Sequence, residues 1–429
     1  MKDLINDAFE YLFPLHRSLA GEENRKSLRY LQSIADFDVM EIPSGTKAYD
    51  WTVPQEWEVN EAYIETDYGY RVVDYKDNNL HLVSYSNPVK GMFSWEELSE
   101  HIHTLGDYSF NGWSIPYRTA YYTYDWGFCM DRNLYNILEY SSPSIKYNVV
   151  IDAEFIDGSM SIGERIVQGE SEEEYLFSTY CCHPSMANDN LSGMILWALL
   201  LKELENRNLR HTYRFVIAPE TIGHIAYIWL REQEIRNIDG GYVLSTVAGP
   251  GPLSYRESFQ GNSKIDRAAR LALRRRGIQY PFDINGSDER QYSSPAFRIP
   301  VGAVCKSKYY EYEEYHTSLD NLDFVSAENL LQTMNVYLDI IDILENDKTY
   351  YSLNAACEPM LGKRDLYPEI GGAILPGKTD LDAIKWVMFY SDASHSIMDI
   401  SELSGVSVKR LSKAAGTLVE NDLLREIKV

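Results

Sequence analysis

Cysteine is scarce in this chain of 429 residues, and its arrangement excludes two common uses. The cysteines are odd in number, two of them are adjacent, and no CxxC motif joins any pair; they are Cys129, Cys181, Cys182, Cys305 and Cys357. Such spacing supports neither a disulfide framework nor a zinc site built from thiolates. We therefore expect free thiols in a reducing cytoplasm.

The chain also has fewer basic than acidic side chains, and it lacks long apolar runs. The chain has 40 basic and 64 acidic side chains and a formal net charge of −24, so its surface repels nucleic-acid phosphates and anionic membranes. No segment approaches the roughly 20 consecutive apolar residues of a transmembrane helix. The start, MKDLINDAFEYLFPLHRSLAG, lacks the pattern of a signal peptide. We expect a cytoplasmic protein with no membrane partner and no nucleic-acid partner for the molecule as a whole.

The chain changes character along its length. Residues 1 to about 40 carry apolar side chains at three- and four-residue steps, which is typical of helices, and residues 1–45 are expected to form one domain with residues 139–350. Residues 46–138 are rich in Tyr, Trp and Val between turn residues, which predicts an inserted, mostly β domain. From 139 to 350 strand and helix patterns alternate, beginning with the strand candidate NVVIDAEFID. This alternation predicts an α/β fold whose mostly parallel sheet has helices on both faces.

The C-terminal part has a different organisation. Residues 351–377 are punctuated by Pro and Gly and are predicted to be a linker. Residues 378–429 suggest three helices and a short strand, with the spacing of a winged-helix domain. They hold seven basic and eight acidic residues, whereas a DNA-reading domain is clearly basic. We expect a docking or homo-oligomerisation module, a role that the inserted domain could share.

The local feature with most chemical content is the segment CHPSMANDNLSG, which lies between a predicted strand and a predicted helix. It contains His183 and Asp189, whose imidazole and carboxylate are zinc-ligand types. Sites in open α/β sheets form beyond the carboxyl ends of the strands, and the loop between the two residues is long enough to fold both onto one ion.

Two further side chains follow predicted strands. Glu220, in APETIG, is predicted to act as general base, accepting a proton from the attacking water and passing it to the leaving amine; alternatively, it is a carboxylate favoured at a helix N-terminus. His316, in EYHTSLD, is predicted to be the third protein ligand; alternatively, it is a loop histidine bonded to Asp320. Three protein ligands with an open position are typical of catalytic zinc.

The segment NGSDERQY is the predicted substrate-recognition loop. Asp288 or Glu289 could hold a substrate amine, and Arg290 could instead bind a carboxylate in a forked geometry. The alternative is an internal ion pair within the loop. Tyr255, which follows another predicted strand, is a further candidate for substrate contact, with support of the core or a loop as its alternative.

These motifs resemble those of the co-catalytic zinc aminopeptidases and, more closely, a group of bacterial aminopeptidase-like proteins found near surface-polysaccharide genes. The matching segments are HPSMANDNLSG, PETIG, NGSDERQYSSPAF, EYHTSLDNLDF, YDWTVPQEW and NNLHLVSYS. The resemblance implies a zinc aminopeptidase- or carboxypeptidase-like fold. It also implies a first metal histidine, a metal-bridging aspartate, a general base and a last metal histidine at His183, Asp189, Glu220 and His316.

Two departures from the family pattern bear on the metal count. Thr221 stands where the two-zinc enzymes have a second glutamate, and no carboxylate occurs near Ser245, where another ligand is expected. Because a second ion would have too few protein donors, we expect one Zn²⁺ rather than two.

The sequence therefore predicts a zinc-dependent hydrolase that cleaves an amide or peptide bond of a small peptide, amino-acyl or N-acyl substrate. The alternative is a binding or scaffold protein of polysaccharide biosynthesis with a vestigial metal site and little or no catalysis. If Glu220 were a metal ligand, the site would lose its base.

Overall fold

A computed structural model describes residues 1–106, 112–141, 143–274, 276–367 and 380–427. The chain divides into two compact units. The first comprises Met1–Gly261 and Ile278–Met334, and the second comprises Asn262–Gly277 and Asn335–Val429. Within the described residues, no helix is both long enough and apolar enough to cross a membrane.

The described residues contain the following strands in chain order: β1 (Asp38–Pro43), β2 (Lys47–Ala48), β3 (Trp51–Thr52), β4 (Glu56–Thr66), β5 (Arg71–Asp74), β6 (Val89–Phe93), β7 (Ile102–His103), β8 (Phe128–Cys129), β9 (Tyr147–Ile156), β10 (Ser159–Val167), β11 (Glu174–Tyr180), β12 (Thr212–Ala218), β13 (Ile238–Val243), β14 (Leu253–Arg256), β15 (Ile278–Tyr280), β16 (Val301–Lys306), β17 (Thr349–Ser352), β18 (Asp392–Ser396) and β19 (Leu424–Glu426).

The α-helices are α1 (Lys2–Leu12), α2 (Glu22–Gln32), α3 (Trp95–Ser99), α4 (Arg132–Glu139), α5 (Gly193–Leu204), α6 (Ile222–Leu230), α7 (Glu232–Ile235), α8 (Lys264–Leu273), α9 (Glu289–Tyr292), α10 (Ala327–Asn346), α11 (Asp380–Tyr390), α12 (Ile397–Ser404) and α13 (Val408–Glu420).

The first unit is built on an eight-stranded sheet with the order β1-β10-β12-β11-β13-β16-β14-β15. Its four central strands, β12, β11, β13 and β16, are mutually parallel. Strands β12 (TYRFVIA) and β16 are buried along their whole length, which matches the continuous apolar runs expected of parallel strands covered on both faces. The predicted α/β fold with a largely parallel sheet is confirmed.

Helix α5 follows the loop that carries the predicted metal ligands. Nearly every residue of α5 is buried, including Trp197, and a helix that is apolar all round must be covered on all sides. The Trp197 indole N–H donates to the backbone carbonyl of Phe177 in β11, at 3.2 Å. This contact joins the helix to the strand from which its preceding loop departs.

Most strands of block 46–138 lie in smaller sheets. A four-stranded antiparallel sheet has the order β5-β4-β9-β6, and β2 with β3 and β7 with β8 form two-stranded pairs. Strand β9, which the sequence placed at the start of the strand–helix alternation, belongs to this four-stranded sheet. It pairs with β4, with Ala62 opposite Ile151. Residues 107–111 of the block lie outside the described residues.

In the second unit, β17, β18 and β19 form a three-stranded antiparallel sheet in the order β18-β17-β19. The three helices and final strand predicted for 378–429 are present as α11, α12, α13 and β19. Strands β17 and β18 were not predicted, and β17 ends inside the predicted linker 351–377. Residues 368–379 and 428–429 of these predicted segments lie outside the described residues.

Gly241 in β13 offers a test of how tightly the central sheet is packed. A Cβ atom at Gly241 would lie 2.5 Å from the carbonyl oxygen of Leu176 in β11. Because that atom is backbone and cannot move aside, we expect Gly241→Ala to lower the free energy of unfolding by about 1–3 kcal/mol. Denaturant titration followed by tryptophan fluorescence measures the shift.

The matched control is Gly106→Ala, where nothing lies within 4 Å of the added Cβ. The midpoint of the control should stay within error of the parent protein. Equal midpoints for the two variants would contradict the close packing between β11 and β13.

Candidate metal centre and adjoining cleft

The ends of three strands supply the polar side chains of the site. Strand β11 ends at Tyr180, and the loop that follows carries His183 before an irregular helical turn over Ala187–Ser192 that contains Asp189. Strand β12, a parallel neighbour of β11, ends two residues before Glu220. The loop after β16 brings His316 to the same region. The side chains thus gather beyond the carboxyl ends of parallel strands, where α/β sheets form their sites.

His183, Asp189 and His316 converge. One potential ligand atom from each lies within 4.8 Å of the others. The contact between His316 Nε2 and Asp189 Oδ2 measures 2.9 Å, yet both atoms are buried and neither has a partner with hydrogen-bond geometry. A buried carboxylate oxygen and a buried imidazole nitrogen that face each other without such a bond are a donor set that a cation would satisfy.

The carboxylate of Asp189 is fixed by neighbours other than the histidines. The Tyr180 hydroxyl donates to Asp189 Oδ1 at 2.5 Å and lies 2.7 Å from Ser245 Oγ. The backbone N–H groups of Asn188 and Asp189 donate to the two carboxylate oxygens of Asp320, at 2.6 and 2.9 Å. Asp320, the alternative partner suggested for His316, therefore orders the loop that presents Asp189.

The charges of the three side chains depend on one another. Burial opposes ionisation of Asp189, but the nearby His183 and His316 outweigh it and lower the pKa of its carboxyl to about 2. Burial lowers the pKa of His183. Burial also disfavours the charged form of His316, but its contact with Asp189 outweighs this and raises the pKa of His316 above its usual 6.5. Near neutral pH the group therefore offers a carboxylate and a neutral imidazole, and His316 keeps its proton to a higher pH than an ordinary histidine.

Glu220 lies beside this group. Its Oε2 atom is 3.8 Å from His183 Nε2, and its Oε1 atom accepts a 2.6 Å hydrogen bond from the Ser287 hydroxyl. The backbone N–H of Glu220 is 3.3 Å from Cys182 Sγ, which is in turn 3.4 Å from His183 Nδ1. Side chain and backbone of Glu220 are thus both held, and one carboxylate oxygen faces the histidine.

The residue after Glu220 has an unusual backbone. Thr221 has φ of 63°, a left-handed conformation that is uncommon for a β-branched residue and is often found at functional sites. Its N–H donates to Asp288 Oδ1 at 2.8 Å. The predicted recognition loop is thereby tied to the strand end that carries Glu220.

The predicted substrate-binding residues fall into two sets. Asp288, Glu289 and Tyr255 have no more than 1% of their surface exposed. Glu289 forms an ion pair with buried Arg256, and Asp288 lies 3.2 Å from His224 Nε2. Groups of the chain itself thus already engage the carboxyls of Asp288 and Glu289. A role of these two residues and of Tyr255 in substrate contact stays a prediction.

Arg290, the fourth predicted residue, is exposed. It lines a cleft of about 720 Å³ together with Thr221. The guanidinium group of Arg290 thus lines a cleft that is also lined by Thr221, the residue that follows Glu220 in the chain.

The sequence analysis did not identify the aromatic neighbours of His183 and His316. The Tyr117 ring lies 5.2 Å from the His183 ring and 5.4 Å from the His316 ring, centroid to centroid. The Tyr315 ring stacks on His316 at 4.0 Å. Tyr315 could have been identified from the sequence, because it directly precedes the predicted ligand His316. Tyr117 comes from the inserted block, where nothing in the tyrosine-rich sequence distinguishes it.

The sheet, with its polar side chains at the strand ends, defines an aminopeptidase-like α/β protein followed by a winged-helix domain. Over residues 6–347 the chain matches the family model described as a domain of unknown function, DUF4910. Over residues 348–426 it matches a model described as winged helix-turn-helix. The chain therefore belongs to the DUF4910 family.

Known proteins agree with this assignment. The chain is 40% identical over 424 residues, 98% of its length and 96% of the relative's, to a Clostridium acetobutylicum protein described as a candidate polysaccharide biosynthesis protein with an aminopeptidase-like domain. A crystal structure of a candidate peptidase from Clostridium acetobutylicum aligns with a TM-score of 0.91 at 38% identity, covering 99% of this chain and 96% of the other.

A more distant structure is the zinc aminopeptidase BSAP from Bacillus subtilis. It aligns with a TM-score of 0.57 at 15% identity, covering 79% of this chain and 93% of that one. At this identity the likeness concerns the fold. The expected resemblance to aminopeptidase-like proteins and the expected fold class are confirmed.

Tyr180 provides a test of the support given to Asp189. Tyr180→Phe removes the hydroxyl that donates to Asp189 Oδ1 and contacts Ser245. Removing the group that orients a ligand typically lowers metal affinity by roughly 10–100-fold, and we expect a loss of that size for Zn²⁺. Competition with a chromophoric chelator measures the dissociation constant.

Tyr117→Phe is the matched control. Its hydroxyl contacts the Tyr121 hydroxyl at 3.2 Å, and the ring beside the histidines is retained. The control should bind Zn²⁺ as the parent protein does. Equal affinities for the parent protein and both variants would show that the Tyr180 hydroxyl does not support the ligand.

Proposed function

We propose that this protein is a zinc-dependent hydrolase that cleaves an amide or peptide bond of a small substrate. The observation that carries the proposal is the convergence of His183, Asp189 and His316 within 4.8 Å, with Glu220 next to them. The peptidase descriptions of structural relatives support a hydrolase of this kind.

One zinc ion fits these donors better than two. Thr221 and Ser245 stand where two further ligands of a paired site would be expected. Ser245 lies 2.7 Å from the hydroxyl of Tyr180, and that hydroxyl donates to Asp189. Ser245 thus supports the Tyr180–Asp189 contact and offers no carboxylate to a second ion, and His183, Asp189 and His316 would hold a single ion.

Zinc in such a site supplies Lewis acidity, which polarises a carbonyl oxygen and lowers the pKa of water. The chain's own residues would handle the proton. Ser287 holds Glu220 Oε1, which leaves Oε2 to accept a proton from the attacking water. In general acid–base catalysis the same group returns the proton to the leaving amine, and we assign that role to Glu220.

Zinc content and Glu220→Gln test this proposal together. Metal analysis of the purified protein should find about one zinc per chain, as expected for a catalytic site with three protein ligands. With a panel of aminoacyl anilides, dipeptides and N-acyl sugars, Glu220→Gln should reduce hydrolysis by roughly 10²–10⁴-fold and leave the zinc content unchanged.

The control is Glu58→Gln, which alters an exposed position of β4. It should retain both zinc and activity. Absence of zinc at stoichiometric levels, or full activity in Glu220→Gln, would refute the proposed function.

The affinity for zinc should depend on pH through His316. Its pKa is raised above 6.5, so at and below that pKa a proton occupies the imidazole and must leave before a metal binds. Affinity should therefore fall by about tenfold per pH unit as the pH drops below the pKa of His316. Asp189, with a pKa of about 2, stays ionised in this range.

Chelator competition between pH 5 and 8 measures this dependence. His101→Gln, which removes an imidazole stacked on Trp126, should keep the same slope, whereas His316→Ala should flatten it. An affinity that does not change between pH 5.5 and pH 7 would contradict the assignment of His316.

A second candidate function rests on the same two departures. With Thr221 and Ser245 in place of carboxylates, the fold could serve as a binding or scaffold protein of polysaccharide biosynthesis, the process named in the description of a relative. Metal-dependent turnover of any compound in the panel would exclude this candidate.

Cytoplasmic location and oligomerisation through the winged-helix or inserted domain stay predictions.

A further inference from the structure

A cleft beside the candidate metal centre combines apolar walls with positive charge. It has a volume of about 720 Å³, and its lining includes Trp51, Ile225, Phe259, Phe282, Arg290 and Arg298. Apolar walls with a few convergent polar groups are typical of small-molecule sites. Two of the residues that line this cleft, Arg290 and Arg298, carry a guanidinium group.

Both arginines are exposed, and over the described part of the chain neither forms an ion pair with a carboxylate. Arg298 lies over the Phe259 ring, 5.4 Å from its centroid. The chain has 64 acidic side chains and a net charge of −24, so acidic partners are abundant. Arginine left unpaired in a cleft is well suited to bind carboxylate or phosphate with two parallel hydrogen bonds.

Arg290 projects from a short segment that is anchored around it. Asp288 accepts the Thr221 N–H, and Glu289 pairs with buried Arg256. On the other side, the hydroxyl of buried Tyr292 lies 3.0 Å from His224 Nδ1. The backbone of Arg290 is thereby held in place, so little backbone freedom is lost when its side chain binds a ligand.

The segment that carries Arg290 also contacts Glu220, the predicted general base. Ser287 donates to Glu220 Oε1 at 2.6 Å, and Thr221, which follows Glu220 in the chain, lines the cleft. If the scissile bond of a substrate lies at Glu220, the cleft adjoins the same segment of chain through Thr221. The part of the substrate next to that bond would meet the arginines and the aromatic wall.

We propose that this cleft recognises an anionic group, a carboxylate or a phosphate, on the part of the substrate next to the scissile amide, through Arg290 and Arg298. The inference rests on the proposed hydrolase function for its orientation, with the scissile bond at Glu220. The apolar portion that carries the anion packs against Trp51 and Phe282. The preferred substrates are thus acidic amides or peptides rather than neutral ones.

Direct binding tests the inference without turnover. The probes are N-acetyl-L-glutamic acid α-amide, which carries one carboxylate, its neutral isostere N-acetyl-L-glutaminamide, and N-acetyl-O-phospho-L-serinamide, which carries a phosphate. Calorimetry with the full-length protein should show at least one anionic probe binding about tenfold more tightly than the neutral one, and the better anionic probe identifies the group recognised. The preference should weaken as NaCl is raised, because salt screens exposed charges.

Arg290→Gln and Arg298→Gln should each reduce the preference, and the double variant should abolish it. Arg165→Gln, at an arginine on β10 that pairs with Asp36, is the matched control and should keep it. An equal affinity of the parent protein for acidic and neutral probes, or a preference that survives in the double variant, would overturn the inference. Failure of the proposed function looks different, since anionic probes would bind while no substrate in the panel is hydrolysed.

Discussion

Asp189 is a charged carboxylate with 1% of its surface exposed, and the local structure is organised around the cost of placing it there. An isolated buried charge is strongly unfavourable unless it is paired and hydrogen-bonded. His316 faces one oxygen of the carboxylate, and Tyr180 donates to the other. Asp320 accepts the backbone N–H of Asp189 itself. Each partner comes from the end of a strand or the loop beyond it, so the order of the central sheet determines whether this charge can be accommodated.

The same constraint bears on Ser245, near which the resemblance to the two-zinc enzymes predicts a carboxylate that this chain lacks. A further acid near Asp189 would add a like charge in a buried position and raise the pKa of one of the two groups. Ser245 instead contacts the Tyr180 hydroxyl, which stabilises the existing charge and adds none. A single cation near His183 and His316 would then be balanced by one carboxylate and Glu220 beside it. A serine at position 245 is in this sense consistent with the proposed single ion.

The sequence predicted local features better than relations between distant segments. A polar side chain that comes two or three residues after a strand end is visible in a short window, as for His183 and Glu220. Strand β9 shows the limit, because its alternation does not reveal that its partners are β4 and β6. Tyr117 could not be found either, since its place against the histidines depends on how the inserted block folds back.

Asp288 and Glu289 illustrate a related limit. Acidic residues in a predicted recognition loop suggest contact with a substrate amine, and their charge is the same whether they face solvent or the interior. The structure buries both, and burial raises the pKa of Asp288 well above its usual range, with the charge of Glu220 acting in the same direction. A carboxyl that keeps its proton is a poor partner for an ammonium group. The sequence motif does not reveal burial, and only the folded environment distinguishes the buried anchors of this loop from its exposed arginine.

The position of Glu220 bears on the choice between a catalyst and a binding protein. Its carboxylate groups with Cys182 and His183, whereas His183, Asp189 and His316 form the other set of converging ligand atoms. One of its oxygens is engaged by Ser287, and its backbone N–H contacts Cys182. To become a ligand alongside Asp189 and His316, Glu220 would have to move away from these restraints. Under the proposed function, a carboxylate held beside the candidate ligand group, with one oxygen directed toward it, has the placement that a general base requires.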